Sequence, residues 1–119
     1  MRDVEKVLTG YLACALWASS DEDGRPLNGM ATIDDISEAS KEFARKECAA
    51  FLAENAELLD ASELDEDQIG HDLWLTRNGH GTGFWDRNLN EVGYKLTKKA
   101  EALGECWAYI GDNGEVDIA

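Results

Sequence analysis

The chain is poor in basic residues. Eleven Lys and Arg stand against 25 Asp and Glu, a formal charge of −14. A field of that sign repels DNA, RNA and anionic membranes and attracts basic partners, so direct nucleic-acid binding is disfavoured. No apolar run is long enough to span a bilayer, and the N-terminus lacks the basic-then-apolar layout of a secretory leader. A cytoplasmic protein with no membrane partner is expected. The three cysteines, Cys14, Cys48 and Cys106, are odd in number, far apart and never in a CxxC pair. Each lies in an apolar pattern, which predicts reduced, buried thiols rather than a disulfide framework or a metal centre. Internal repeats and low-complexity segments are missing. The 119 residues predict a single domain, 1–119, large enough for a core without disulfides or metal.

What is present begins with helix signals. Val4, Val7, Leu8, Tyr11, Leu12, Ala15 and Leu16 recur at spacings of three and four, one apolar stripe of an amphipathic helix over 3–19. Ser19 to Pro26 then stops it with turn formers and the only proline. Thr32-Ile33-Asp34-Asp35 reads as a capping box, with Ser37 a second candidate cap. The helix that follows runs to about Asn55 and turns Ile36, Ala39, Phe43, Ala44, Cys48, Phe51 and Leu52 inward. Residues 56–69 are so acidic that a loop with one helical turn near 65–69 is expected. Residues 88–94 read as a connector, and Thr97 as the cap of a short helix, Lys98 to Leu103, closed by Gly104. Cys106 to Ile110 alternates as a strand, Asp112-Asn113-Gly114 is a turn, and Glu115 to Ile118 returns as a hairpin.

The most distinctive stretch is Gly70-His71-Asp72-Leu73-Trp74-Leu75-Thr76-Arg77-Asn78-Gly79-His80-Gly81-Thr82-Gly83-Phe84-Trp85-Asp86-Arg87, which holds both histidines and two of the four tryptophans. Leu73 and Leu75 alternate with Asp72, Trp74 and Thr76, the period of a half-buried strand. Asn78-Gly79 is the pair that most readily supplies a two-residue hairpin turn. That reading sets Arg77 beside His80 and Trp74 opposite Gly83, and makes Trp74 and Trp85 structural residues of a sheet. A looser loop over Gly79, Gly81 and Gly83, with exposed amides, is the other arrangement. The fold class predicted is α+β: two long amphipathic helices packed on a small antiparallel sheet made of two β-hairpins.

Two kinds of site can be drawn on this chain. The first is an acidic interaction surface. Residues 1–70 carry a net −11 and the remainder −3, so the candidates are Asp21, Glu22 and Asp23, then Asp34 and Asp35, then Glu54, Glu57, Asp60, Glu63, Asp65, Glu66 and Asp67. Exposed like charges stabilise nothing, so reversing Asp65, Glu66 and Asp67 is expected to leave the fold intact. The second is a small enzyme, ligand-binding or metal-binding site built from His71, Asp72, Arg77, His80, Asp86 and Arg87. Imidazole and carboxylate are metal donors, but the spacing matches no closed zinc pattern and no HxxxH is present. A nucleophile such as Thr76 or Thr82 could stand beside His80, yet no GxSxG elbow frames one. Gly79, Gly81 and Gly83 with Arg77 and Arg87 could cradle an anion, although the helix that a phosphate loop requires does not follow. Trp74, Phe84 and Trp85 beside the two arginines are the materials of a single-strand platform, which the charge opposes. No catalytic residue, cofactor or metal is assigned, and the enzyme reading is the weaker one.

The eighteen residues from Gly70 to Arg87 resemble a segment found in small acidic proteins of bacteriophages, prophages and plasmids. The likeness is looser over the first helix, the Thr32-Ile33-Asp34-Asp35-Ile36 entry and the region from Leu96 to Gly114. The resemblance implies a mobile-element origin and a bacterial host cell, and carries over no catalytic or binding residue. Small acidic proteins of that origin are often inhibitors that occupy the nucleic-acid groove of a host enzyme. The function expected is therefore binding and inhibition of a basic, nucleic-acid-handling host protein, an anti-defence role whose sharp form is DNA mimicry.

Overall fold

Asp3 starts the first helix by accepting the Glu5 N–H at 3.0 Å, and α1 (Val4–Ala18) buries the predicted stripe from Val7 to Leu16 together with Gly10 and Cys14, with Val4 half-buried. The structure is a computed structural model that describes residues 2–80, 83–87 and 89–119, Asp86 by its backbone alone. After α1 the chain makes the tight Asp21–Arg25 turn and two 3-10 turns, Leu27–Gly29 and Ile33–Asp35. The Thr32 capping box forms on the second of these, with Asp35 accepting the Thr32 N–H at 2.8 Å. Ser37 then caps α2 (Glu38–Glu54), its Oγ accepting the Ser40 N–H at 3.2 Å. Phe43, expected inward, is exposed, while Ala44, Cys48, Phe51 and Leu52 are buried.

The acidic stretch after α2 is helical rather than a loop. It forms α3 (Ala56–Ser62), anchored by the fully buried Leu59, and then opens α4 (Glu66–Arg77). Like-charge repulsion is offset here by Arg2, which donates to the Leu64 and Leu59 carbonyls (2.9 and 3.1 Å) and pairs with Glu66 at 3.2 Å. After a 3-10 turn at Phe84–Asp86, α5 (Glu91–Glu101) occupies part of the supposed connector. Thr97 lies inside α5, where its hydroxyl donates to the Gly93 carbonyl at 2.8 Å instead of capping. The C-terminal hairpin forms as expected: β1 (Ala108–Ile110) pairs antiparallel with β2 (Val116–Ile118), Tyr109 opposite Asp117.

The predicted fold class is therefore corrected. The described residues hold five α-helices and one two-stranded sheet, with 61% of those residues helical once the 3-10 turns are included, not two helices on a pair of hairpins. The hairpin proposed for 72–87 is a helix followed by a turn. Asp65 caps α4 by accepting the Gln68 N–H at 2.8 Å. At the other end Gly79, with φ +69°, closes α4 in a left-handed conformation. The Gly79 N–H bonds the Thr76 carbonyl (3.2 Å) and the His80 N–H the Leu75 carbonyl (3.0 Å), the two crossed bonds of a Schellman ending. Asn78-Gly79 thus stops a helix rather than turning a hairpin.

α4 is the central element because α1 crosses it backbone to backbone. At Gly70 a Cβ would collide with the Val7 carbonyl and would stand 2.6 Å from the Tyr11 nitrogen; at Gly10 it would stand 2.6 Å from the Asp67 carbonyl. Neither helix can carry a side chain at that crossing. The first turn of α4 lies beside Glu5 and Thr9, and His71 beside Ala13 and Trp17, so the two helices run in the same sense. The core closes around them through the edge-on pair Tyr11–Trp74 (centroids 5.3 Å apart) and the stacked pair Phe51–Phe84 (5.8 Å).

Because backbone cannot move aside as a flexible side chain can, Gly70→Ala should cost about 3 kcal/mol, the upper end for overpacking. Gly29→Ala, which meets open space, should be near neutral. Thermal unfolding of both variants measures this; equal melting temperatures would contradict the crossing.

Candidate functional site

The distinctive stretch builds the interior more than it forms a site. Asp72 is fully buried. Its carboxylate receives Arg87 through Nε (3.1 Å) and Nη2 (2.9 Å), and Gln68 Nε2 at 2.8 Å. A two-pronged guanidinium contact of this kind is what allows a carboxylate to stay charged away from water. Arg77 is 5% exposed. It donates to Glu47 Oε1 on α2 (2.7 Å), to the Tyr11 hydroxyl (3.2 Å), and to the Gly104 and Leu103 carbonyls beyond α5 (2.9 and 3.1 Å). One cation thereby joins α4 to α1, α2 and the end of α5. Thr76 Oγ1 accepts the Phe84 N–H at 3.2 Å, and Asn78 Oδ1 accepts the Cys106 N–H at 2.8 Å.

Of the candidates His71, Asp72, Arg77, His80 and Arg87, the fold brings Asp72 and Arg87 together as an ion pair, while the two histidines stand apart. His71 lines a shallow depression with Trp17, Asn28 and Asp34, and His80 lines a different one with Trp74, Glu105 and Trp107. The side chain of Asp86, and the Gly81 and Thr82 part of the anion cradle and nucleophile readings, lie outside the described residues. Among the described residues no group of three His, Cys, Asp or Glu is arranged to hold a metal. Thr76 faces inward to Phe84, not toward a base. Burial, then the neighbouring acids Asp72 and Glu47 respectively, push the Cys14 and Cys48 thiols up to about 12, so neither supplies a thiolate at neutral pH. Trp74 is a core residue as expected, but on a helix. Trp85 is 54% exposed and structural in no evident way.

The acidic candidates are at the surface and fall at two ends of α1. Glu54, Glu57, Asp60, Glu63, Asp65 and Asp67 are exposed and Glu66 is half-buried, all around the N-terminal end of α1. Asp21, Glu22 and Asp23 follow its C-terminal end, with Asp34 and Asp35 exposed on the nearby 3-10 turn. The 15 residues of α1 hold these groups about 22 Å apart. Their surroundings differ. The backbone N–H of Arg25, then that of Asp23 and the Arg25 guanidinium, hold the Asp21 carboxyl below the usual carboxylate range. Asp65 is a helix cap and Glu66 pairs with Arg2, so the expectation that the 65–67 triplet can be reversed without cost is corrected. Loss of the cap alone is worth about 1 kcal/mol. Glu54, Glu57 and Glu63 make no ion pair among the described residues.

Several exposed groups escaped the sequence altogether. Trp17, Trp107, Tyr109 and Ile110 are 58%, 68%, 47% and 41% exposed. The last three lie on or beside a hairpin that forms a two-stranded sheet with no third strand among the described residues.

Arg77→Met should destabilise the protein by about 3 kcal/mol, because it strands Glu47 and two carbonyls beside an apolar side chain. His80→Ala should change stability by less than about 0.5 kcal/mol. Denaturant unfolding of the two variants checks the contrast, and a reversed ranking would show that Arg77 is not the fastener described.

Comparison of the chain with protein-family models, with curated proteins and with solved structures finds no match.

Proposed function

We propose that this chain is an acidic interaction protein that binds and inhibits a basic, nucleic-acid-handling host protein, the role expected of a small acidic phage or mobile-element product. The observation that carries this reading is the distribution of its charge. The cations of the distinctive stretch are turned inward onto Asp72 and Glu47, while the carboxylates at both ends of α1 face solvent. A charge of −14 on a molecule 42 Å long is one net charge per about 3 Å, roughly half the axial density of duplex DNA, one per about 1.7 Å. Spread carboxylates suit a groove that holds nucleic acid. The enzyme alternative called for His71, Asp72, Arg77, His80 and Asp86 in one pocket; that His71 and His80 line different depressions favours the interaction reading over it.

The test uses the immobilised chain and a bacterial host lysate. Retained proteins should include nucleic-acid-binding ones, released by rising salt, because screening shortens the attraction, and displaced by added duplex DNA. The combined Glu54→Lys, Glu57→Lys and Glu63→Lys variant should lose such a partner at least tenfold while its stability changes by less than about 1 kcal/mol. Retention indifferent to salt, to DNA and to the triple reversal would overturn the proposal.

A further inference from the structure

The sheet has one satisfied edge and one open edge. On the inner side of the hairpin, Trp107 and Ala119 exchange both backbone hydrogen bonds (2.8 and 2.9 Å), and the Gly111 N–H bonds the Glu115 carbonyl at 2.8 Å. Bonded and non-bonded pairs alternate along an antiparallel ladder. The N–H and C=O of Ala108 and Ile110, opposite Ile118 and Val116, therefore point away from β2. No hydrogen bond among the described residues uses these four groups. The outer side of β2 is by contrast occupied by the start of α2: Ser37 N–H bonds the Val116 carbonyl (2.9 Å) and Ile118 N–H bonds Ser40 Oγ (2.9 Å).

Two depressions lie along this unpaired edge and share Ser20; Ile110 is 41% exposed beside one, while Ala108, beside the other, is 7% exposed. One, about 360 Å³, is lined by Ala108, Trp107, Trp74, His80 and Glu105 among others; Trp74 Nε1 is buried there without an acceptor among the described residues. The other, about 470 Å³, is lined by Ile110, Tyr109 and Met30 with Asp21, Glu22 and Asp23. Ala108 and Ile110 are two residues apart, about 6.7 Å along a strand, the interval at which an extended peptide presents successive side chains on one face. The walls carry four carboxylates, Glu105 and Asp21 to Asp23, against the single cation Arg25, which is already paired with Asp21 and Asp23. Exposed Trp107 and Tyr109 add faces that attract cations.

We infer that the open edge of β1 receives an extended basic segment of the partner as a third strand, with main-chain bonds to Ala108 and Ile110 and basic side chains in the two acidic depressions. Main-chain pairing would supply affinity and the depressions selectivity. The inference rests on the proposal that the partner is basic, and adds where and in what conformation it is held. A second copy of the chain is the poorer occupant, because pairing two β1 edges would bring two Asp21–Asp23 turns together.

The probe is an acetylated, amidated octapeptide of alternating lysine and valine, added to ¹⁵N-labelled protein at low salt. The Ala108 and Ile110 amide signals should shift most and exchange with solvent at least tenfold more slowly. The same peptide with glutamate for lysine should bind at least tenfold more weakly. Ile110→Pro removes a donor on the open side only, and should weaken the lysine peptide at least tenfold with β2 pairing retained. If that variant does not fold, the amide shifts on the native chain decide. Shifts confined to Glu54–Asp67, equal affinity for both peptides, no binding, or concentration-dependent pairing of β1 with itself would each overturn the inference. The acidic-partner reading fails separately, through salt-indifferent capture from lysate.

Discussion

The contact on which the rest of this fold depends is the crossing of α1 and α4 at Gly10 and Gly70. With no side chain on either helix at that point, backbone meets backbone, and α4 sinks until it is covered on nearly every side. Burial of its apolar residues is the favourable part. The unfavourable part is that Asp72, Thr76 and Arg77 are carried in with them. Each is matched: Asp72 by Arg87 and Gln68, Thr76 by the Phe84 amide, Arg77 by Glu47, Tyr11 and two carbonyls. Such networks stabilise only when complete, which explains why so much of the sequence's unusual chemistry is gathered within and just after one helix.

Once those cations are committed inside, the exterior is left with an excess of acids. Arg87 and Arg77 neutralise Asp72 and Glu47, and Arg2 and Arg25 each hold carboxylates close to their own turns. Many of the remaining acidic side chains sit at the two ends of α1, most of them exposed, and others, such as Glu38, Glu42, Glu91 and Asp112, lie on the surface elsewhere. Structure and partner recognition thus draw on different residues. The eighteen-residue stretch that looks most functional makes the scaffold, and plain acidic turns with a short hairpin are what the molecule offers to others.

Much of this was legible beforehand. The stripe from Val7 to Leu16 and the Asp112-Asn113-Gly114 turn each had one physical reading and each formed, and Ser37, the second candidate cap after Thr32, is the one that starts α2. α4 was not legible from periodicity, because a helix buried all round has no polar face to set a 3.6-residue pattern against. Leu73 and Leu75 then imitate a strand. Its ends were better witnesses: Asp65 is a favoured N-cap residue, and Asn78-Gly79 serves a Schellman ending as readily as a hairpin. The acidic candidates were found by counting, but which of them are caps or ion-paired is a matter of tertiary position. The unpaired edge of β1 was invisible for a similar reason, since it exists only because α2 covers β2 and no strand among the described residues pairs with the other side.

Amide hydrogen exchange on the free protein tests this division of labour most directly. The amides of Leu73 to Arg77 should exchange only through global unfolding, with the slowest rates in the chain, while those of Ala108 and Ile110 exchange rapidly from the native state. Fast exchange in α4 together with protected amides at Ala108 and Ile110 would contradict both the buried-helix scaffold and the open strand edge.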